Sequence, residues 1–407
     1  MNRYDLIVVG GGPAGLSAAY AAAGEGLRVA LFERSKEIGY PIHTSGGSWI
    51  ADLKELAIPD RFIHPIKRGL FLSPNARAEF SYDDPVSCIL DVRGLYQYLA
   101  ALAVRAGAEI FTQTAVARAL DDDGIPVGVR LSHPRGEDFF APLLIDASGM
   151  AGILATQFGL REPFARFGLG AEVDVVNDAW PADTIALLFG SLAAPSGYGW
   201  IFPHGDGRVR IGIGVIKPDT AAAPRDLLHS LLQRREIDGY RLAARGQIET
   251  HVGSLPATPP LRRASADGLL VAGDAGSLIS TLLGEGIRFA IAIGRLAGNV
   301  AAAAHRAGDF SARFLSRFDR RWRRAYGGLF EVGNIINQRL ATYDNAAWDR
   351  KISLLAGLPA ASVPSLLRGE LSAAGIFKML FSHPGLWQRA FRHRRLLSNL
   401  LLNRQIS

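Results

Sequence analysis

Cysteine is almost absent from this chain. One residue in 407, Cys88, carries a thiol. That excludes a disulfide framework and any metal or iron–sulfur site built from several thiolates, and it fits a reducing compartment. Long apolar runs are missing too: no uncharged run of about 18 residues is apolar throughout, so no membrane-spanning helix is expected. With the first apolar segment at Leu6–Val9, no secretory leader of the charged-then-apolar type is expected. Internal repeats and low-complexity tracts are also lacking. Charged residues make up only 20% and hydrophobic residues 48%, which describes an ordered globular chain long enough for two or three domains.

Positive charge is plentiful but uneven. The net charge is +7, and residues 311–407 hold sixteen Lys/Arg against five Asp/Glu, or +11, which leaves −4 on the first 310 residues. The basic segments Arg320-Arg321-Trp322-Arg323-Arg324 and Arg389 to Leu397 interleave arginine with Trp, Phe and Leu. Such interleaving suits contact with anionic lipid; the plainer reading is a solvated Arg-rich helical face. No recognised nucleic-acid motif accompanies it, so no nucleic-acid partner is expected. Peripheral contact with the inner face of the cell membrane, on a cytoplasmic protein, is the expected placement.

The stretch Leu6–Glu33 organises the rest. A buried-strand run is followed by Gly10-Gly11-Gly12-Pro13-Ala14-Gly15, then by an alanine-rich helix, then by a second apolar run ending in Glu33, 18 residues after Gly15. Gly10 suits a tight turn, Gly12 lets a pyrophosphate reach the backbone, and Gly15 lets the helix pack on the strand. Pro13 and Ala14 begin the helix whose N-terminus favours phosphate charge, and Glu33, with Arg34 beside it, faces a ribose. A dinucleotide site follows from this order of parts.

Further along, residues 34–50, with Ile38-Gly39-Tyr40-Pro41-Ile42-His43-Thr44-Ser45-Gly46-Gly47-Ser48-Trp49, read as an active-site loop, because their glycines and hydroxyls let backbone approach a ring system. Asp91 is placed to cap a helix at Leu95–Ala106. Residues 66–90 and 160–260 alternate short strands with turns, and Tyr198-Gly199-Trp200-Ile201-Phe202-Pro203-His204-Gly205 stands out among them. A strand ending in Gly273-Asp274 precedes Gly284-Glu285-Gly286-Ile287, which opens a helix of small residues. Asp274 can accept from a ribityl hydroxyl, and the helix N-terminus can stabilise negative charge on a reduced flavin ring. From residue 311 onward the pattern is helical, with breaks expected at Pro359, Pro364 and Pro384.

Taken together, Gly10/Gly12/Gly15 with Glu33, Asp91-x-Arg93, Asp146-Ala147-Ser148-Gly149, and Gly273-Asp274 with Gly284–Gly286 resemble the flavoproteins of p-hydroxybenzoate-hydroxylase-like fold, in that family's order over residues 1–310. The resemblance implies FAD. It places Arg93 near the phosphates or ribityl chain, Val116 at adenine, Asp146 at the cofactor, Asp274 at the ribityl or pyrophosphate region, and Gly284, Gly286 and Ile287 at the cofactor beside it. The implied fold is α/β: a Rossmann-like FAD-binding domain (1–65, 91–158 and 262–310), a mixed-sheet substrate domain (66–90 and 159–261) and a basic helical C-terminal region (311–407).

Within that fold the Tyr198-x-Trp200-x-Phe202-Pro203-x-Gly205 segment is similar to the Y-x-W-x-F-P-x-G motif of the geranylgeranyl reductase family. The resemblance implies hydride transfer from reduced flavin to isoprenoid C=C bonds, with NAD(P)H or a ferredoxin-like protein as reductant. Tyr198, Trp200 and Phe202 would wall an apolar cavity that excludes water. Members of that family often carry a cysteine in the loop after the second strand; here His43-Thr44-Ser45 stands there instead, so His43, Thr44, Tyr40 or water is left as proton donor. The alternative is a flavin monooxygenase or halogenase, for which Lys67 is the candidate lysine. A flavoprotein passing electrons from a carrier protein to quinone is a third reading, which the single cysteine disfavours. No metal site is expected.

Overall fold

A computed structural model describes residues 2–132 and 136–369. The apolar runs and glycine turns build a six-stranded sheet in the order Ser265–Ala266, Leu269–Val271, Leu144–Asp146, Leu6–Val9, Val29–Phe32, Glu109–Phe111. Its five inner and later strands run parallel, and Ser265–Ala266 is antiparallel to its neighbour. Strands covered on both faces must be apolar throughout, and Leu6, Ile7, Val8 and Leu31 are fully buried.

One face of this sheet is covered by helix Pro13–Gly24 and helix Ile287–Ala307, which lie against each other. Their backbones meet at glycine. A Cβ on Gly294 would stand 2.2 Å from the Ala14 carbonyl oxygen, and one on Gly298 2.3 Å from that of Ala18. Contrary to the expectation above, Ile287–Ala307 has the length and hydropathy of a membrane span despite its arginines, but 72% of its most apolar window is buried inside the protein.

A seven-stranded sheet forms the second layer, in the order Arg245–Pro256, Phe167–Val176, Arg208–Lys217, Gly197–Gly205, Thr184–Phe189, Arg68–Ser73, Ala76–Ser81. It is antiparallel except where Thr184–Phe189 runs parallel to Arg68–Ser73. The period of two divides its faces. Ala171, Val173, Val175, Val209, Ile211, Ile213 and Val215 pack into one core, while the opposite face carries glycines, aromatics and charges. A small antiparallel sheet, Gly47–Trp49, Ser87–Leu90 and Ile63–Ile66, joins segments from both sides of the expected division at residues 65 and 90. Cys88 lies in it, fully buried, with its thiol pushed up by burial.

The helices after residue 311 do not form a layer of their own. Phe314, Leu315, Phe318 and Trp322 join the core of the parallel sheet, whereas Trp348 and Ile352 pack on the seven-stranded one. Trp322 is therefore a core residue rather than a lipid-facing one, stacked near Phe330. Pro364 starts the short helix Val363–Leu367 instead of breaking one, because a proline in the first turn loses no hydrogen bond. Pro384 and the basic segment from Arg389 lie outside the described residues.

Asp146 serves the fold. It is fully buried at the end of its strand, and its carboxylate accepts from Ser148 N (3.0 Å), Ser148 Oγ (2.6 Å), Leu154 N (2.8 Å) and Ala155 N (2.7 Å). With its lone pairs spent on the turn and on helix Ile153–Gln157, it has none left for a cofactor, contrary to the expectation above. Asp146→Ala strands these donors and is expected to destabilise the chain by about 3 kcal/mol. Urea denaturation checks this, and a change below about 1 kcal/mol contradicts the assignment.

Candidate active site

Between the two sheets lies a cavity of about 740 Å³, within the range of cofactor and substrate sites. At one end, Gly10 (φ +110°) turns the chain so tightly that a Cβ there would stand 2.2 Å from the Ala147 carbonyl oxygen. A Cβ on Gly15 would meet the Gly10 carbonyl at 1.9 Å, so Gly15 secures the helix to the turn and does not itself line the cavity. A Cβ on Gly12 would meet nothing within 4 Å; it would project into open space. Gly12 is also the N-cap of a helix without a side-chain cap and with Pro13 following. Uncapped N–H groups beside open space suit an anion.

Beyond this turn, Pro13, Ala14, Glu33, Arg34 and Val116 line the cavity. Glu33 accepts from Gly11 N at 2.6 Å and Ser35 N at 2.7 Å, which orients its carboxylate along the wall. Gly273, Asp274, Gly284, Gly286 and Ile287 line the middle. Helix Ile287–Ala307 begins there with no side-chain cap, so its dipole favours negative charge in the cavity. Glu285 is tied to Arg288 at 2.7 Å, which anchors the glycine turn.

Asp274 is the strongest local sign of a ligand. Its side chain makes no hydrogen bond among the described residues, and burial pushes its carboxyl up to about 6. Unpartnered carboxylates in such surroundings are costly; hydroxyls of a ribityl chain would relieve the cost. Glycines that leave room for a pyrophosphate, an acid at ribose distance along the wall, the unpartnered Asp274 and the uncapped second helix fit FAD in one continuous groove.

Arg93 does not reach this groove. Its guanidinium pairs with Glu37 at 2.9 Å and lies over the Tyr40 ring. It supports the loop from outside, because Asp91 caps helix Val92–Arg105 and aims the next turn away.

The far end is aromatic. Trp200 lies flat across the neighbouring strands: a Cβ on Gly212 would stand 2.3 Å from its ring, one on Gly214 3.3 Å and one on Gly170 3.5 Å. Three glycines thus form the trough that seats one indole, and the indole N–H donates to Glu172 Oε2 at 3.0 Å. Tyr198 donates its hydroxyl to the Leu283 carbonyl at 2.6 Å, and burial raises its pKa further. Phe189, Leu282, Leu283 and Trp348 complete an apolar wall. Phe202, expected in this wall, packs behind it against Gly47 and the core, because Gly47 leaves space there that a larger residue would fill.

His43 and Thr44 do line the cavity. The His43 ring is exposed and donates Nδ1–H to the Val252 carbonyl at 2.8 Å. Lys67 is exposed and outside the cavity, which removes the lysine from the halogenase reading.

A charged cluster on the same wall escaped the sequence reading. Glu172, Asp174, Arg210 and His251 are all buried. Arg210 binds Asp174 through Nε (2.6 Å) and Nη2 (2.9 Å), and donates to the Ser45 carbonyl at 3.1 Å, tying the loop to the sheet. Burial alone would raise the Asp174 carboxyl, but Arg210 holds it below the usual range. Asp174, Glu249 and His251 bring ligand atoms within 4.8 Å of one another, yet arginines already occupy Asp174. A signal was available: Glu172 and Asp174 alternate with Ala171, Val173 and Val175, and acids two apart in an apolar strand share a face.

The unpartnered Asp274 gives a sign-determined expectation. A raised carboxyl pKa destabilises the ligand-free chain as pH rises from about 4 to about 6, by roughly 3 kcal/mol once ionised. Asp274→Asn is expected to raise the melting temperature of the FAD-free chain at pH 7.5, with the gain vanishing near pH 4, and to weaken FAD binding at least tenfold. Thermal melts and flavin titration check both, and an unchanged FAD affinity would remove Asp274 from the cofactor site.

Comparison with known proteins agrees with this geometry. Residues 5–159 match the FAD dependent oxidoreductase family, and residues 170–252 match the geranylgeranyl reductase catalytic domain. Digeranylgeranylglycerophospholipid reductase 2 of Methanothermobacter thermautotrophicus is 33% identical over 81% of this chain and 86% of its own. Digeranylgeranylglycerophospholipid reductase 2 of Methanopyrus kandleri is 31% identical over 95% of this chain and 98% of its own. Among solved structures, a geranylgeranyl bacteriochlorophyll reductase-like protein from Thermoplasma acidophilum superposes with a TM-score of 0.85 at 23% identity, covering 96% of this chain and 99% of that one. A myxobacterial chondrochloren halogenase reaches 0.66 at 20% identity, over 92% of this chain and 99% of its own. The chain belongs to the geranylgeranyl reductase family of FAD-dependent oxidoreductases.

Proposed function

We propose that this chain saturates carbon–carbon double bonds in the polyprenyl chains of a glycerophospholipid. The observation that carries the reading is the continuity of one cavity, from the Gly10–Gly12 turn and Asp274 to the apolar wall of Tyr198, Trp200 and Phe189. Bound FAD, once reduced, supplies hydride there. The chain's own residues do the rest. Backbone N–H groups at Gly12 and the start of helix Ile287–Ala307 hold negative charge, and Asp274 and Glu33 hold hydroxyls. An isolated alkene offers little polarity to recognise, so affinity comes from burying the chain at roughly 0.8 kcal/mol per CH₂. The flat indole of Trp200 gives the polyprenyl chain a broad, dry contact. Relatives named for digeranylgeranylglycerophospholipid support the lipid class.

NAD(P)H or a ferredoxin-like protein is the proposed reductant. The exposed arginines Arg313, Arg317, Arg320, Arg321 and Arg323 on one helical stretch suit the anionic headgroups of the membrane that holds the substrate.

Anaerobic mixing of the photoreduced protein with a digeranylgeranyl glycerophospholipid in micelles is expected to reoxidise the flavin and add two mass units per bond reduced. Oxygen-dependent addition of sixteen would point to a monooxygenase instead. Gly212→Ala pushes a methyl group into the Trp200 ring and lifts the indole into the cavity. It is expected to cost about 1–3 kcal/mol of stability and to raise KM for the lipid severalfold. FAD affinity should not move, because Gly212 stands outside the cofactor end.

A further inference from the structure

We propose that His251, held as an imidazolium between Glu172 and Glu249, donates the proton that completes alkene reduction, and that Glu249 refills it from solvent. The proposal rests on the reductase reading above.

The pairing of the strands sets up the arrangement. His251 stands opposite Glu172, Glu172 opposite Gly212, and Gly212 opposite Trp200, in one row across the sheet. His251 and Glu172 both line the cavity. The Nδ1 atom of His251 lies 3.1 Å from Glu172 Oε1, and Nε2 lies 3.2 Å from Glu249 Oε2. A neutral imidazole has one N–H and one lone pair, so it would turn a lone pair toward a carboxylate. Only the doubly protonated ring donates to both.

Charge balance gives the same answer independently. The side chains of Glu172, Asp174, Arg210 and His251 are 5%, 1%, 3% and 5% exposed. With His251 neutral, this buried set carries two negative charges against one positive; with the imidazolium it is neutral. An uncompensated buried charge is strongly unfavourable. The remaining charged neighbours, Arg208 and Glu249, balance each other at 3.9 Å and are partly exposed.

Other groups facing His251 cannot take its role. Asp174 is held ionised by Arg210, with Arg208 also bonded to it. Trp200 N–H occupies Glu172 Oε2, which keeps that carboxylate an acceptor. His204 is pushed by burial down to about 3 and is neutral. Burial pushes the Tyr198 hydroxyl well above its ordinary range, which makes it a weak acid, and among the described residues no carboxylate pairs with His43 to hold it charged. Glu249, with 38% of its side chain exposed, joins the inner pair to water.

The step balances. One alkene carbon takes the hydride that reduced FAD supplies. The π electron pair forms the second C–H bond to the proton, the Nδ1–H bond of His251 breaks, and its electrons stay on the ring. Water then returns a proton through Glu249.

Nitrogen-15 NMR of histidine-labelled protein tests the protonation state without any turnover, with His251→Gln used to assign the signal. At pH 7.5 His251 is expected to show the imidazolium signature at both nitrogens. Glu172→Gln, which keeps an amide oxygen available to Trp200, is expected to replace that signature with the neutral one at the same pH. A neutral ring at pH 7.5 in the unsubstituted protein overturns the proposal, whatever the lipid assay returns. On the lipid, His251→Gln is expected to lower kcat at least 100-fold, with FAD binding and photoreduction intact. Glu249→Gln is expected to lower kcat at least tenfold with FAD binding intact, and an unchanged kcat overturns the refilling role. A His251→Gln protein within threefold of the unsubstituted rate overturns the donor role while leaving the reductase reading standing. If the unsubstituted protein reduces no polyprenyl lipid, the reductase reading fails, and the donor role fails with it.

Discussion

Close approach of backbone to backbone governs this structure. The turn at Gly10 presses on Ala147, Gly15 presses on Gly10, and Gly294 and Gly298 bring the long helix against the first. Each contact occupies the place of a Cβ. Because the first helix sits so low on the sheet, its uncapped N-terminus opens on the cavity beside Gly12. Because the long helix lies so close against the first, its own uncapped N-terminus at Gly286 opens on the same cavity. Two sets of orphan donors thereby converge on one groove, and Asp274 supplies the complementary acceptor between them.

The same device recurs in the second sheet with another outcome. Gly170, Gly212 and Gly214 lie on the cavity face of adjacent strands, and Trp200 fills the trough they leave. Beside that trough the glycines give way to Glu172, Asp174, Arg210 and His251. One face of one sheet therefore offers a hydrophobic floor and, beside it, a buried charged cluster. The floor suits a polyprenyl chain; the cluster holds a proton at its edge. Arg210 also grips the Ser45 carbonyl, so the loop that closes the cavity is tied to the cluster.

Legibility in the sequence followed the range of the interactions. The Gly10–Gly15 turn, the Asp91 cap and the strands around them depend on residues a few positions apart, and they stood out. Asp146 was misjudged because its cofactor role rested on family resemblance, while its hydrogen bonds go to residues up to nine positions downstream. Arg93 and Phe202 sit beside the site but face away from it, a matter of side-chain direction that spacing alone did not settle. The arginines of Ile287–Ala307 drew attention away from a helix long and apolar enough to span a membrane, and burial shows how the protein uses it.

What the sequence determined by itself was local. Glycines dictated tight turns and close contact, alternation dictated strands, and resemblance implied FAD from the cofactor segments and the family from the Tyr198–Gly205 segment. Only the tertiary structure decided which side chains share a wall. His251 and Glu172 lie 79 residues apart, and no local rule joins them. Their meeting depends on the pairing register of Phe167–Val176 with Arg245–Pro256. A slip of one residue between these strands would leave His251 and Glu172 on opposite faces. The proton-holding cluster is thus a property of the sheet, written in no single stretch of chain.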